Sequence, residues 1–182
     1  MPWWDRDSLA TLLPQLTEKF PTHTAYARAG LEEMLGELFP RVKRLEAAAL
    51  ESLVFLNRGD HFEAVSLPLE AQLAPCFGIA VADFDGDGNP DLFLSQNFSG
   101  TELETSPYND GVGALLLGDG RGGFTALRPA ESGLRLPGDG RGCRAVDWQH
   151  DGRPGLIATQ NNQTTRLFQN RGRTPVRRAS AP

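Results

Sequence analysis

Asp83-Phe84-Asp85-Gly86-Asp87-Gly88-Asn89-Pro90-Asp91 is the stretch on which the reading of this chain turns. Asp83, Asp85 and Asp87 alternate, and Asp91 follows four residues after the third. Like charges crowded this closely repel unless a cation neutralises them. A hard divalent ion such as Ca²⁺ takes about six to eight oxygens, drawn from carboxylates, carbonyls and water. The spacing supplies such a set. Asp83, Asp85 and Asp87 can point inward in turn, Asn89 can offer its amide carbonyl, and Asp91 can close the shell. Gly86 and Gly88 permit the tight or left-handed backbone that wraps an ion. The plainer alternative is a solvated acidic turn, since Asp and Gly are ordinary turn residues. Four Asp in this register are unusual for such a turn.

An EF-hand does not fit. It needs a loop of about 12 residues closed by Glu and flanked by helices. The closing position, counted from Asp83, is Leu94. Phe77-Gly78-Ile79-Ala80-Val81-Ala82 leads in and Leu92-Phe93-Leu94 leads out, both short apolar runs rich in β-compatible residues. The spacing therefore predicts a loop joining two strands of a hairpin.

These residues resemble the repeat of FG-GAP/VCBS proteins, a kind often found with an ASPIC/UnbV tail. The likeness is carried by Phe77-Gly78 followed by Ala82 to Leu94. Val54-Phe55-Leu56-Asn57-Arg58-Gly59-Asp60-His61-Phe62 is similar to that family's element of strand, Asn-x-Gly turn and strand. The resemblance spans about residues 53 to 172, and the Asp loop is its specific part. It implies integrin-α-like β-propeller blades, with Ca²⁺ held by Asp83, Asp85, Asp87, Asn89 and Asp91. It also implies an extracytoplasmic (secreted or periplasmic) adhesion or scaffold role.

The chain repeats internally. Ala145-Val146-Asp147-Trp148-Gln149-His150-Asp151-Gly152-Arg153-Pro154-Gly155 overlays the first loop, with Asp147 standing 64 residues after Asp83. Leu115 to Phe124 repeats Val54 to Phe62, and Asn170-Arg171-Gly172 begins a third copy. Repeats of about sixty residues suit four-stranded blades with long connections. In the second loop Gln149 stands for Asp85 and Gly155 for Asp91. Only Asp147 and Asp151 remain, which predicts weak or absent calcium binding there. A lone turn histidine, His150, is the plain reading of the one candidate transition-metal ligand beside them.

The expected fold is mainly β with a helical N-terminal segment, holding about two four-stranded propeller-type blades of a larger propeller. Residues 1–52 form the helical segment or insertion, 53–113 the first repeat, 114–172 the second, degenerate repeat and the start of a third, and 173–182 a tail. In the N-terminal segment Leu9, Leu12, Leu13 and Leu16 are spaced for a helix capped by Asp7 or Ser8 and split or kinked at Pro14. Pro21-Thr22 opens a second helix, with Leu31, Met34, Leu35 and Leu38 on one stripe. Pro40 opens a third, with Val42, Leu45 and Ala49 inward. These helices are expected to cover apolar blade surface, with Trp3 and Trp4 as packing residues.

Composition agrees with a globular, turn-rich chain: 182 residues, 40% hydrophobic, with 20 Gly and 13 Pro. The net charge of −5 gives no nucleic-acid signature, and no apolar run suits a membrane span. Asp5, Arg6 and Asp7 stand where a secretory signal would be apolar. Cys76 and Cys143 make no disulfide framework; a bridge is conceivable, and two buried thiols are the simpler state. Arg58-Gly59-Asp60 matches an adhesion tripeptide, but Gly59 is also what a hairpin turn needs. Asn97-Phe98-Ser99 and Asn162-Gln163-Thr164 match glycosylation acceptors. The Arg-Arg-Ala-Ser of residues 177–180 resembles a kinase site, with a basic tail as the plain alternative.

No motif for catalysis is present. Glu102 and Glu104, in a polar surface stretch, are an example of acids outside the Asp loop that a glycosidase could use. Two functions follow. One is a non-catalytic calcium-binding module presenting loops to a protein or glycan. The other is an accessory or catalytic propeller of a larger enzyme, with its site in further blades. In either, strand edges require cover from the rest of a longer propeller or from another copy.

Overall fold

A computed structural model describes residues 5–103 and 105–172. The chain forms two compact units, Met1–Ala49 and Leu50–Pro182. Trp3, Trp4, Glu104, the kinase-like motif and the 173–182 tail lie outside the described residues.

The first unit is helical, in shorter pieces than the sequence predicts. Helix α1 (Arg6–Leu12) is capped by Asp5, not by Asp7 or Ser8; the Asp5 carboxylate accepts from the Asp7 and Ser8 amides, both at 2.9 Å. Pro14 heads α2 (Gln15–Lys19), so the leucine run is divided there. Thr22 caps α3 (His23–Arg28) by accepting from Ala25 N. The long second helix does not form. Ala29 is extended and Gly36 has φ +50°, so only α4 (Leu31–Leu35) and a 3-10 turn (Gly36–Arg41) remain. Of the expected stripe Met34 is buried, while Leu31 and Leu38 are exposed. The third helix is absent too, and Val42, Leu45 and Ala49 are exposed. A short helix without a buried face has little to hold it. The core of this unit is Leu16, Phe20, Tyr26, Ala29 and Met34.

The second unit is β. Strands β1 (Leu53–Asn57) and β2 (Phe62–Ser66) form a hairpin. Strands β3 (Cys76–Ala82), β4 (Asp91–Gln96), β5 (Ala114–Gly118) and β6 (Phe124–Leu127) form an antiparallel four-stranded meander. After the short helix α5 (Pro129–Ser132), strands β7 (Gly140–Val146), β8 (Gly155–Gln160) and β9 (Arg166–Phe168) form a third antiparallel sheet. The described residues thus hold sheets of two, four and three strands, rather than two sheets of four. The repeats and the sheets are out of phase. Residues 53–113 carry β1 and β2 of one sheet and β3 and β4 of the next, because the chain changes sheet between β2 and β3 and again between β6 and β7.

Burial explains which strands sit where. Strand β5 is apolar without alternation and buried on both faces. Its Leu115 and Leu117 join Ala80, Phe93, Leu134, Leu136, Leu156 and Ala158 between the four- and three-stranded sheets. Its Ala114 and Leu116 join Ala71 and Leu94 on the other face. Strands β3 and β7 keep the same bulged register against their partners. Cys76 pairs Gln96 and Ala82 pairs Asp91; 64 residues on, Gly140 pairs Gln160 and Val146 pairs Gly155.

Candidate metal centre

The β3–β4 turn places three carboxylates together. One oxygen each of Asp83, Asp85 and Asp91 lies within 4.8 Å of the others. Asp83 sits just after β3, and Asp91 opens β4 opposite Ala82. Gly86 (φ +80°) and Gly88 (φ +87°) take the left-handed backbone that brings the loop back.

Backbone amides organise the same carboxylates. Asp83 Oδ1 accepts from Gly86 N at 2.7 Å and Asp87 N at 3.1 Å, and Oδ2 accepts from Gly88 N at 2.8 Å. Asp91 is fully buried; Oδ2 accepts from Phe84 N at 2.8 Å and Oδ1 from Gly118 N of β5 at 2.9 Å. Burial pushes the Asp91 carboxyl above its ordinary value, the Asp85 charge adds to this, and backbone amides, those of Gly118 and Phe84 foremost, pull the other way. Asp83 Oδ1 uses both lone pairs on two of these bonds, while Asp83 Oδ2, with one, keeps acceptor capacity toward a cation. Three hard-oxygen donors at one corner suit a hard cation, with carbonyls or water completing its shell.

The two other expected ligands are placed differently. Asp87 is not one of the three; its Oδ1 accepts from Asn89 N at 2.9 Å. Asn89 turns its side-chain oxygen to the β5–β6 turn, where a Cβ on Gly120 would stand 2.3 Å from it.

The second loop has the same backbone wiring without the cluster. Asp147 accepts from Asp151 N (3.2 Å) and Gly152 N (2.8 Å), and Asp151 accepts from Arg153 N (3.0 Å). The Gly152 amide leads in holding the Asp147 carboxyl below its usual range. His150 adopts φ +57°, the place Gly86 takes in the first loop. At the Asp91 position a Cβ on Gly155 would fall 2.2 Å from the Trp148 ring. The indole occupies the space that a side chain there would need. Among the described residues neither Asp147 nor Asp151 belongs to a metal-ligand group.

The third repeated element is a turn. Asn57, Asp119 and Asn170 each accept, through the side-chain oxygen, from the amide two residues on, at 2.8, 2.8 and 2.9 Å. In the adhesion-like tripeptide Arg58 pairs with Glu63 at 2.7 Å and Gly59 has φ +97°, both uses internal to the hairpin.

Sequence reading missed a buried polar staple. Gln96-Asn97 and Gln160-Asn161 end β4 and β8, again 64 residues apart. Asn97 is fully buried with φ +91°; its amide donates to Gly111 O and Pro137 O and accepts from Gly111 N. This removes Asn97 as a glycosylation acceptor in the folded chain, while Asn162 is exposed. Gln96 donates to Glu70 O, and Gln160 accepts from Gly138 N. The repeated Gln-Asn pair was the available signal.

Cys76 and Cys143 are free thiols. Burial, with a contribution from Cys76, pushes the Cys143 thiol up to about 11. Glu102 lies in the loop between β4 and β5. Among the described residues no helix is long and apolar enough to cross a membrane. No protein-family model matches the chain, and a comparison with curated proteins finds no match.

Proposed function

We propose that this chain is a calcium-binding β-propeller repeat module of the FG-GAP/VCBS kind, with no chemistry of its own. The observation that carries the reading is the group of Asp83, Asp85 and Asp91 at a strand-to-strand corner. Asp83 and Asp91 also serve the fold through backbone amides. A cation there would offset the repulsion among three acids and tie the β3–β4 corner to β5 through Asp91. The near-identical wiring of two loops 64 residues apart supports the repeat reading. The packing of the four-stranded sheet on the three-stranded sheet supports propeller-type blades. On this reading the module presents its loops to a protein or glycan partner in an extracytoplasmic adhesion or scaffold role.

Thermal melting of the full chain tests the cation. An ion bound only by the folded state adds about 2.7 kcal/mol at a hundredfold excess over its Kd. Calcium is expected to raise the Tm of the wild type and leave Asp85→Asn unchanged. Equal melting in excess calcium and excess chelator would contradict the proposal.

A further inference from the structure

Successive residues of β3 face opposite ways. Gly78 and Ala80 face the three-stranded sheet. A Cβ on Gly78 would lie 2.2 Å from Arg141 O and 3.2 Å from Cys143 N, so β3 and β7 approach backbone to backbone. Ala80 packs in the same interface with Leu156 and Ala158. Ile79 and Val81 point the other way and are 60% and 59% exposed. Their cross-strand partners Leu94 and Leu92 are covered on that face by Ala71 and Leu67. The apolar cover therefore reaches β4 and only the first residue of β3, Cys76, leaving Ile79 and Val81 open.

The 64-residue relation shows what fits such a surface. It carries Ile79 and Val81 onto Cys143 and Ala145, which β7 turns to β3 in a partly buried face. It carries Gly78 and Ala80 onto Gly142 and Arg144, which are exposed. One molecule thus bears the strand faces equivalent to both halves of the β3–β7 contact a second time, exposed, with Ile and Val for Cys and Ala and with Arg for Ala. Complementary patches at different places on one molecule make heterologous, head-to-tail contacts.

We propose that the uncovered side of β3 receives the uncovered side of β7 from a second copy of this chain, repeating between molecules the contact the two strands make within one. Gly142 of the incoming copy would allow the close backbone approach that Gly78 allows internally. Arg144, standing where Ala80 stands in the internal contact, would lay its aliphatic stem between Ile79 and Val81 with its charge at the rim. The inference rests on this packing and does not require the cation. A patch of two apolar residues predicts weak association.

Sedimentation velocity of the full chain over rising concentration is the test. The average mass of the wild type is expected to climb with concentration. Ile79→Lys, which sets a like charge beside Arg144, keeps the chain monomeric, and adding Arg144→Glu restores association. Val81→Lys serves as the second variant if Ile79→Lys melts early. A wild type that stays monomeric throughout, a mass unaffected by Lys at 79 or 81, or a double variant without recovery would each overturn the proposal.

Discussion

The loops at 83–91 and 147–155 fold the same turn and diverge at its last residue. Both hang on one carboxylate, Asp83 or Asp147, that gathers backbone amides from the glycine-bearing bend. The first loop then closes with a buried Asp91 that reaches across to β5. The second closes with Gly155 beneath the Trp148 ring. The amide bonds alone are enough to shape the bend, since the second loop keeps it with only two acids. The first loop adds Asp85 and Asp91, which take amides of their own and bring three carboxylates together at one corner.

The sharpest way to break the comparison is Asp91→Ala. It would strand the Phe84 and Gly118 amides in the interior, at about 1–3 kcal/mol for each buried donor left unpaired. Urea unfolding in chelator should show this loss of about 2–6 kcal/mol with no metal involved. Gly155→Ala probes the other loop. Its methyl group has no room beside Trp148, and overpacking of this kind costs about 1–3 kcal/mol. An unchanged midpoint would show that the indole is not fixed there.

Asp85→Asn should leave stability in chelator within about 0.5 kcal/mol of wild type, as for most surface changes. It should still abolish the calcium-dependent rise in melting temperature. Its mirror image, Gln149→Asp, should gain no calcium response, because the residue that would complete the group is Gly155.

The smallest effect is a pH dependence in the second loop. The folded Asp147 carboxyl is held below its ordinary value of 3.8, chiefly by the Gly152 amide. A depressed folded value means the protons are taken up preferentially by the unfolded chain. The contribution is thus fully present above pH 3.8 and is lost as pH falls through the lowered folded value. Acid titration of stability should be shallower in Asp147→Asn than in wild type.

What could be read in the sequence was what is local. The β3–β4 hairpin and its acidic bend follow from Asp and Gly at fixed spacing between two apolar runs. The spacing could not tell that Asp87 would stand outside the group of three carboxylates, since this depends on how tightly the bend closes. The division into sheets was hidden because β2 and β3 are neighbours in sequence yet belong to different sheets. In the first unit the leucine stripe suggested long helices, and the breaks at Ala29 and Gly36 overrode it. The Gln96-Asn97 staple was visible as a repeated pair, but its role rests on Gly111 and Pro137, far along the chain.

Isothermal titration of the full chain with calcium, beside Asp85→Asn, addresses the central claim most directly. The account predicts one bound ion per wild-type chain and none for the variant. Absence of binding to the wild type, or two ions per chain, would contradict it.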